Sequence, residues 1–137
     1  MSNSKWRLYS DGGSRGNPGP AASAFVLLNP AGNLQEKCGK YLGKTTNNQA
    51  EYSGLLEGLR AAIRQQVTEL DCFLDSELIV KQMTGEYRIK DPALRQIATF
   101  GIGPLRQRFA SLTFNHIPRE KNKEADLLVN EMLDRVL

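Results

Sequence analysis

Along this chain the period of hydrophobic and polar positions changes several times, and each change marks a new element. Residues 6–10 read as a short strand ending against Asp11. The next stretch, residues 12–20, is Gly12-Gly13-Ser14-Arg15-Gly16-Asn17-Pro18-Gly19-Pro20, and it reads as a turn because glycine and proline at this density sustain neither helix nor strand. Residues 21–28 and 34–44 read as two more strands joined by Asn29-Pro30-Ala31-Gly32-Asn33. From Thr46 the period becomes helical: Leu55, Leu56, Leu59, Ala62 and Ile63 form one buried stripe, with Thr46 or Asn47 as the cap. In residues 70–74, Cys72-Phe73-Leu74 is apolar on both faces, as for a strand covered on each side, and Asp75-Ser76 ends it. A short helix over about residues 77–83 follows. Asp91-Pro92 reads as a cap and first-turn proline of another helix, which Gly101, Gly103 and Pro104 kink or split. Residues 111–117 read as the last strand, and Ala125, Leu128, Val129, Met132, Leu133 and Val136 stripe a closing amphipathic helix.

This order predicts an α/β fold: a five-stranded mixed sheet, made of a three-stranded antiparallel meander plus parallel strands, with helices on both faces. The strand at residues 70–74, reached through a helical crossover, should run parallel to the first. There is no repeat, linker or low-complexity tract, and 137 residues suit a single domain with one core over residues 1–137. A net charge of +3 leans weakly toward an anionic partner. Two cysteines, and no apolar run near the length of a signal peptide or membrane span, predict a cytoplasmic protein without a membrane partner. One histidine and no paired cysteine spacing exclude a zinc site built from nitrogen and sulfur, so any metal must be held by oxygen.

Four acids fall where chemistry is expected. Asp11 and Asp75 end what read as adjacent parallel strands, the edge at which crevices form in open α/β sheets. Glu51 continues the buried stripe of the first helix, where an acid needs a reason, and Asp126 opens the last helix one turn beyond Asn122. Taken singly, each reads more readily as a cap or a surface charge. His116 lies inside a strand pattern and reads as structural, which leaves Arg119 or Glu120 at the loop tip before Asp126 as accessory candidates, together with Asn122.

The glycine-rich stretch fits neither phosphate-loop spacing, and Pro18 and Pro20 lack backbone donors. Close approach to an RNA minor groove suits it better, with bare Gly12 and Gly13 admitting the sugar edge and Ser14 and Asn17 bonding 2′-hydroxyls, and a plain hairpin turn is the alternative.

Four segments together resemble the signature of type 1 ribonuclease H: Ser10-Asp11-Gly12-Gly13-Ser14-Arg15-Gly16-Asn17-Pro18-Gly19, Thr46-Asn47-Asn48-Gln49-Ala50-Glu51-Tyr52, Asp75-Ser76 and Asn122-Lys123-Glu124-Ala125-Asp126. The resemblance spans nearly the whole chain and is closest to variants lacking the basic protrusion, because residues 85–91 are too short to encode it. It implies a ribonuclease H-like fold, and endonucleolytic cleavage of the RNA strand of an RNA/DNA hybrid that leaves 5′-phosphate and 3′-hydroxyl ends. Catalysis would fall to Asp11, Glu51, Asp75 and Asp126 as ligands of two Mg²⁺ ions, with Mn²⁺ as an alternative. The chemistry agrees, because two hard cations about 4 Å apart can activate a water and stabilise the leaving oxygen, and carboxylates are their natural ligands. The resemblance further implies that Asp11 bridges both ions, Asp126 holds the water-activating ion, and Glu51 and Asp75 hold the other. It assigns Thr46 and Asn47 to the DNA backbone and Asn48 to the RNA strand, with Gln49 assisting; the start of the first helix would offer free backbone donors there. Grip on the hybrid is then left to scattered cations such as Lys81, Arg88, Lys90, Lys121 and Lys123. A monomer is expected. Two alternatives stay open: a binding module of the same fold without turnover, and a nuclease preferring double-stranded RNA or junctions.

Overall fold

The structure is a computed structural model that describes residues 4–136. Five strands form one mixed sheet in the order β3-β2-β1-β4-β5: β1 (Trp6–Ser14), β2 (Gly19–Leu28), β3 (Leu34–Thr45), β4 (Glu69–Leu74) and β5 (Ser111–His116). The first three pair antiparallel, and β4 lies parallel to both β1 and β5, which is the meander-plus-parallel sheet that the pattern predicts. One face is covered by α1 (Asn47–Arg64), α2 (Glu77–Met83) and α3 (Pro92–Gln96). There Leu8, Phe25, Leu27, Leu55, Leu59, Leu70, Leu74 and Ile79 make the main core. On the opposite face α5 (Lys123–Arg135) packs Val129 and Leu133 onto Ala22 and Ala24. No helix among the described residues is long and apolar enough to cross a membrane.

Three details depart from expectation. The run of glycines does not stop β1: Gly12 and Gly13 stay in the ladder opposite Ser23 and Ala22, and the reversal is confined to residues 15–18. Antiparallel pairing needs backbone groups, not side chains, so glycine is tolerated where a neighbouring element fills the space. The strand β4 is fully covered on one face only, with Leu70, Cys72 and Leu74 buried while Phe73 is half-buried and stacks on Tyr9 at 5.0 Å. The helix after Asp91 is not simply kinked. It widens into a π-helical stretch over Ile97–Ile102, then resumes as α4 (Gly103–Arg106), and Gly101 sits against Leu56 of α1 where a Cβ would lie 3.2 Å from a Leu56 methyl.

Where α1 meets the sheet, the two backbones nearly touch. A Cβ on Gly12 would fall 2.2 Å from the Ala50 carbonyl carbon, and one on Gly54 would fall 2.5 Å from the Asp11 carbonyl oxygen. These two positions set the distance between α1 and β1.

In an exposed helix, replacing glycine by alanine adds about 1 kcal/mol of stability. At Gly54 the sign should reverse, because the added methyl meets backbone that cannot move away by a rotamer change. Gly54→Ala is expected to lose about 1–3 kcal/mol in denaturant unfolding, the usual range for overpacking. A midpoint at or above that of the wild type would show that α1 is free to back off.

Candidate active site

The parallel register aligns the first two acids. Tyr9 of β1 is paired with Phe73 of β4, and Asp11 and Asp75 each stand two residues further along, so both project on the face that carries the Tyr9–Phe73 stack. Asp11 thus lies within β1 and not at its end, while Asp75 directly follows β4, just before Ser76 caps α2 through the Ile79 N–H. Glu51 reaches them from α1, where the close approach at Gly12 lets the Gly12 N–H donate to Glu51 Oε1 at 2.7 Å.

Asp11 and Glu51 are each 6% exposed. Carboxylate oxygens of Asp11, Glu51 and Asp75 lie within 4.8 Å of one another. Asp126, half-buried in the first turn of α5, lines the same cleft without joining that group, and its Oδ1 stands 3.4 Å from Arg119 Nη2. The cleft holds about 500 Å³ and is also walled by Gly13, Ser14, Arg15, Asn47 and Asn130.

Burial is the main reason that Asp11 holds its proton up to about 6, with the charge of Asp75 adding to it and the hydrogen bond with Glu51 pulling back. Glu51 is raised well above the ordinary carboxyl range, first by burial and then by the bond to Asp11 and the Asp11 charge. Its Oε2 is buried without a hydrogen-bond partner among the described residues. Clustered oxygen donors, one of them orphaned, suit a hard divalent cation, which would satisfy the orphan and reverse the penalty on the charged forms.

The predicted substrate residues have mixed fates. Thr46 is the cap of α1 and accepts from the Gln49 N–H at 3.2 Å. Asn17 Oδ1 accepts from the Asn47 N–H at 3.1 Å, and Asn47 Oδ1 accepts from the Ser14 N–H at 2.7 Å. Two of the first donors of α1 are thus used within the protein, the Asn47 N–H by Asn17 and the Gln49 N–H by Thr46, while the Asn48 N–H has no partner among the described residues. The Ser14 hydroxyl donates to the Gly16 carbonyl, and Gln49 Oε1 accepts from the Thr45 hydroxyl at 2.6 Å. Asn48 faces a second cleft, bordered by Gln82, Tyr87, Arg88 and Lys90. Gly12 owes its missing side chain to α1, not to a ligand, whereas a Cβ on Gly13 would meet only a Val129 methyl, at an ordinary 3.8 Å.

His116 is exposed at the end of β5 and does not line the acid cleft, whereas Arg119 does. Glu120 lies in a neighbouring hollow with Tyr9 and Val26. Lys81, expected as a free cation, is paired with Glu77 at 2.8 Å. Two cleft residues escaped the sequence reading. Arg15 pairs with Asp134 at 2.7 Å, and Asn130 donates to the Asp126 carbonyl at 3.0 Å. The spacing of Asn130, one helical turn beyond Asp126, was the available signal.

The chain matches the reverse transcriptase-like family over residues 9–132. It is 41% identical over 126 residues to ribonuclease HI of Halobacterium salinarum, covering 92% of this chain and 63% of that protein. The crystal structure of the Halobacterium ribonuclease H1 superposes with a TM-score of 0.91 at 40% identity, covering 96% of this chain and 98% of that one. This chain belongs to the ribonuclease H family, type 1. A compost-derived member, LC11 ribonuclease H1, solved in complex with an RNA/DNA hybrid, superposes at 0.89 with 40% identity over 96% of this chain and 98% of its own. A bifunctional protein of Mycobacterium tuberculosis is 37% identical over 128 residues, 93% of this chain and 35% of that protein. The chain thus spans less than two thirds of these two curated relatives.

Asp11 gives a pH test. Its carboxyl rises from an ordinary 3.8 to about 6 on folding, so between those values the metal-free folded protein binds more protons than the unfolded chain. This contribution to stability is present below about pH 3.8 and lost as pH rises through about 6. In chelator, Asp11→Asn is therefore expected to melt progressively higher than the wild type as pH increases across that window, and Mg²⁺ should stabilise the wild type more than the mutant. A mutant that melts lower at neutral pH, with an unchanged Mg²⁺ response, would count against a shared cation site at Asp11.

Proposed function

We propose that this chain is a metal-dependent ribonuclease H that cuts the RNA strand of RNA/DNA hybrids endonucleolytically, leaving 5′-phosphate and 3′-hydroxyl ends. The single observation that carries this reading is the convergence of Asp11, Glu51 and Asp75, with oxygens within 4.8 Å, in a chain of this family. Membership alone would suit a binding module equally well. A buried, mutually repelling set of acids is costly to keep, and a binding surface has no use for it.

In this reading Asp11, Glu51 and Asp75 would hold divalent metal together, with Asp126 as the further carboxylate of the same cleft. When bound, two Mg²⁺ ions, or Mn²⁺ in their place, supply a reactive water and positive charge at the phosphoryl and leaving oxygens. The chain itself does the positioning. The Gly12 N–H fixes one oxygen of Glu51, and the other is buried without a hydrogen-bond partner among the described residues. Arg119 places a guanidinium beside Asp126 at the mouth, where it can meet an incoming phosphate. Asn47 and Ser14 form a rigid polar wall, and Gly13 leaves room beside it for a ribose edge. Arg88 and Lys90 stand with Asn48 in the second cleft, beside Glu86 and Asp91, and offer two cations to a nucleic-acid backbone there.

Residues 1–137 act in this account as one catalytic domain and as a monomer. A cytoplasmic setting is proposed with it, supported by Cys38 and Cys72, both free thiols.

The test is an end-labelled RNA/DNA hybrid incubated with Mg²⁺, Mn²⁺ or chelator, beside double-stranded RNA and double-stranded DNA. Cleavage is expected in the RNA strand of the hybrid, only with metal, and Asp11→Asn should bring it to background. Absence of hybrid cleavage under every metal condition would sink the enzyme reading, and stronger cleavage of double-stranded RNA would redirect it.

Gly13→Ala separates substrate fit from stability. The added methyl meets nothing closer than 3.8 Å within the chain, so the melting temperature should hold while KM for the hybrid rises several-fold. A normal KM would mean that the hybrid does not approach β1 at this point.

A further inference from the structure

Asn122 occupies the position before α5 where a side chain ordinarily caps the helix, yet its side chain makes no cap bond. It is 1% exposed and turned inward. Its amide nitrogen donates to the Ser10 carbonyl at 2.9 Å and to Asp75 Oδ2 at 3.2 Å. Both partners can only accept, so chemistry fixes the orientation of the amide: the NH₂ must face them, and the side-chain oxygen is left buried without a partner among the described residues. Giving up a cap and burying an unsatisfied oxygen are both unfavourable, and a residue serving only the helix would do neither.

The same residue touches the surroundings of three acids. Ser10 immediately precedes Asp11 in β1, Asp75 is bonded directly, and the Asn122 carbonyl accepts from the Asp126 N–H at 3.1 Å. Strand β1, the end of β4 and the start of α5 are joined at one buried amide. A hydrogen bond to one oxygen of Asp75 restrains rotation of a carboxylate that has an oxygen within 4.8 Å of those of Asp11 and Glu51.

We propose that Asn122 is a positioning residue of the metal site, holding Asp75 in ligating orientation while pinning β1 at Asp11 and α5 at Asp126. The inference rests on the metal-dependent reading above. Loss of an outer partner of a metal ligand typically weakens metal binding about 10–100-fold.

The experiment is a calorimetric titration of Mg²⁺, repeated with Mn²⁺, into the wild type and Asn122→Ala, with folding checked by circular dichroism. Asn122→Ser is the second variant should alanine fail to fold, since its hydroxyl is too short to bridge Ser10 and Asp75. The expected result is metal binding weakened about tenfold or more per folded molecule, with hybrid cleavage recovering as Mg²⁺ is raised in proportion. A variant that melts lower but binds metal as tightly as the wild type would overturn the inference and leave Asn122 a packing residue, with the metal site intact. A wild type that binds neither ion would overturn the metal-dependent reading itself, and this inference with it.

Discussion

The backbone of α1 lies directly against the backbone of β1 at two glycines, and the site depends on that contact. Without side chains at Gly12 and Gly54, the Ala50 and Asp11 carbonyls close to distances that any Cβ would forbid. The approach brings Glu51 within reach of the Gly12 N–H and of Asp11 together. A helix held at the usual spacing from a sheet, with side chains interleaved, would leave the Glu51 carboxylate short of the strand. Close packing of glycine against backbone therefore fixes the distance between the first two acids, and strand register fixes the distance between Asp11 and Asp75.

Bringing acids together in a buried place works against folding. Burial and like charge raise the proton affinity of both Asp11 and Glu51. The surrounding chain offsets the penalty locally. Donors come from the Gly12 backbone and the Asn122 amide, and Arg119 supplies a cation to Asp126 at the open side. None of these neutralises the inner pair, and Glu51 keeps an unpaired oxygen. In the metal-dependent reading proposed above, the scaffold holds these acids in place at a cost that a bound cation would remove, which would link folding stability to metal.

The two faces of the sheet divide the labour. The face under α1 and α2 holds the large aliphatic core and gives the fold its stability, whereas α5 is anchored on small residues, Ala22 and Ala24, that let its first turn lie close to the acids. Rigid strands carry Asp11 and place Asp75, and helix starts carry Glu51 and Asp126. No acid of the site sits on a long loop.

The sequence alone determined the element order and the mixed sheet, because these follow from local period, whereas the four acids stood out as a set only through their resemblance to a family signature. A buried stripe that includes Glu51, and a strand that runs up to Asp75, are visible without any contact. Tertiary structure decided what depends on a neighbour. The glycines at residues 12–13 look like a chain break until both are found in the β1–β2 ladder, with α1 filling the space at Gly12. Asn17, read as a ligand for sugar, has its amide oxygen engaged by the Asn47 N–H, and Asn122, an accessory candidate in the sequence, places its amide on Asp75. Asn, Ser and Gly each serve several roles at one spacing, and only the partner that arrives from a distant part of the chain selects among them.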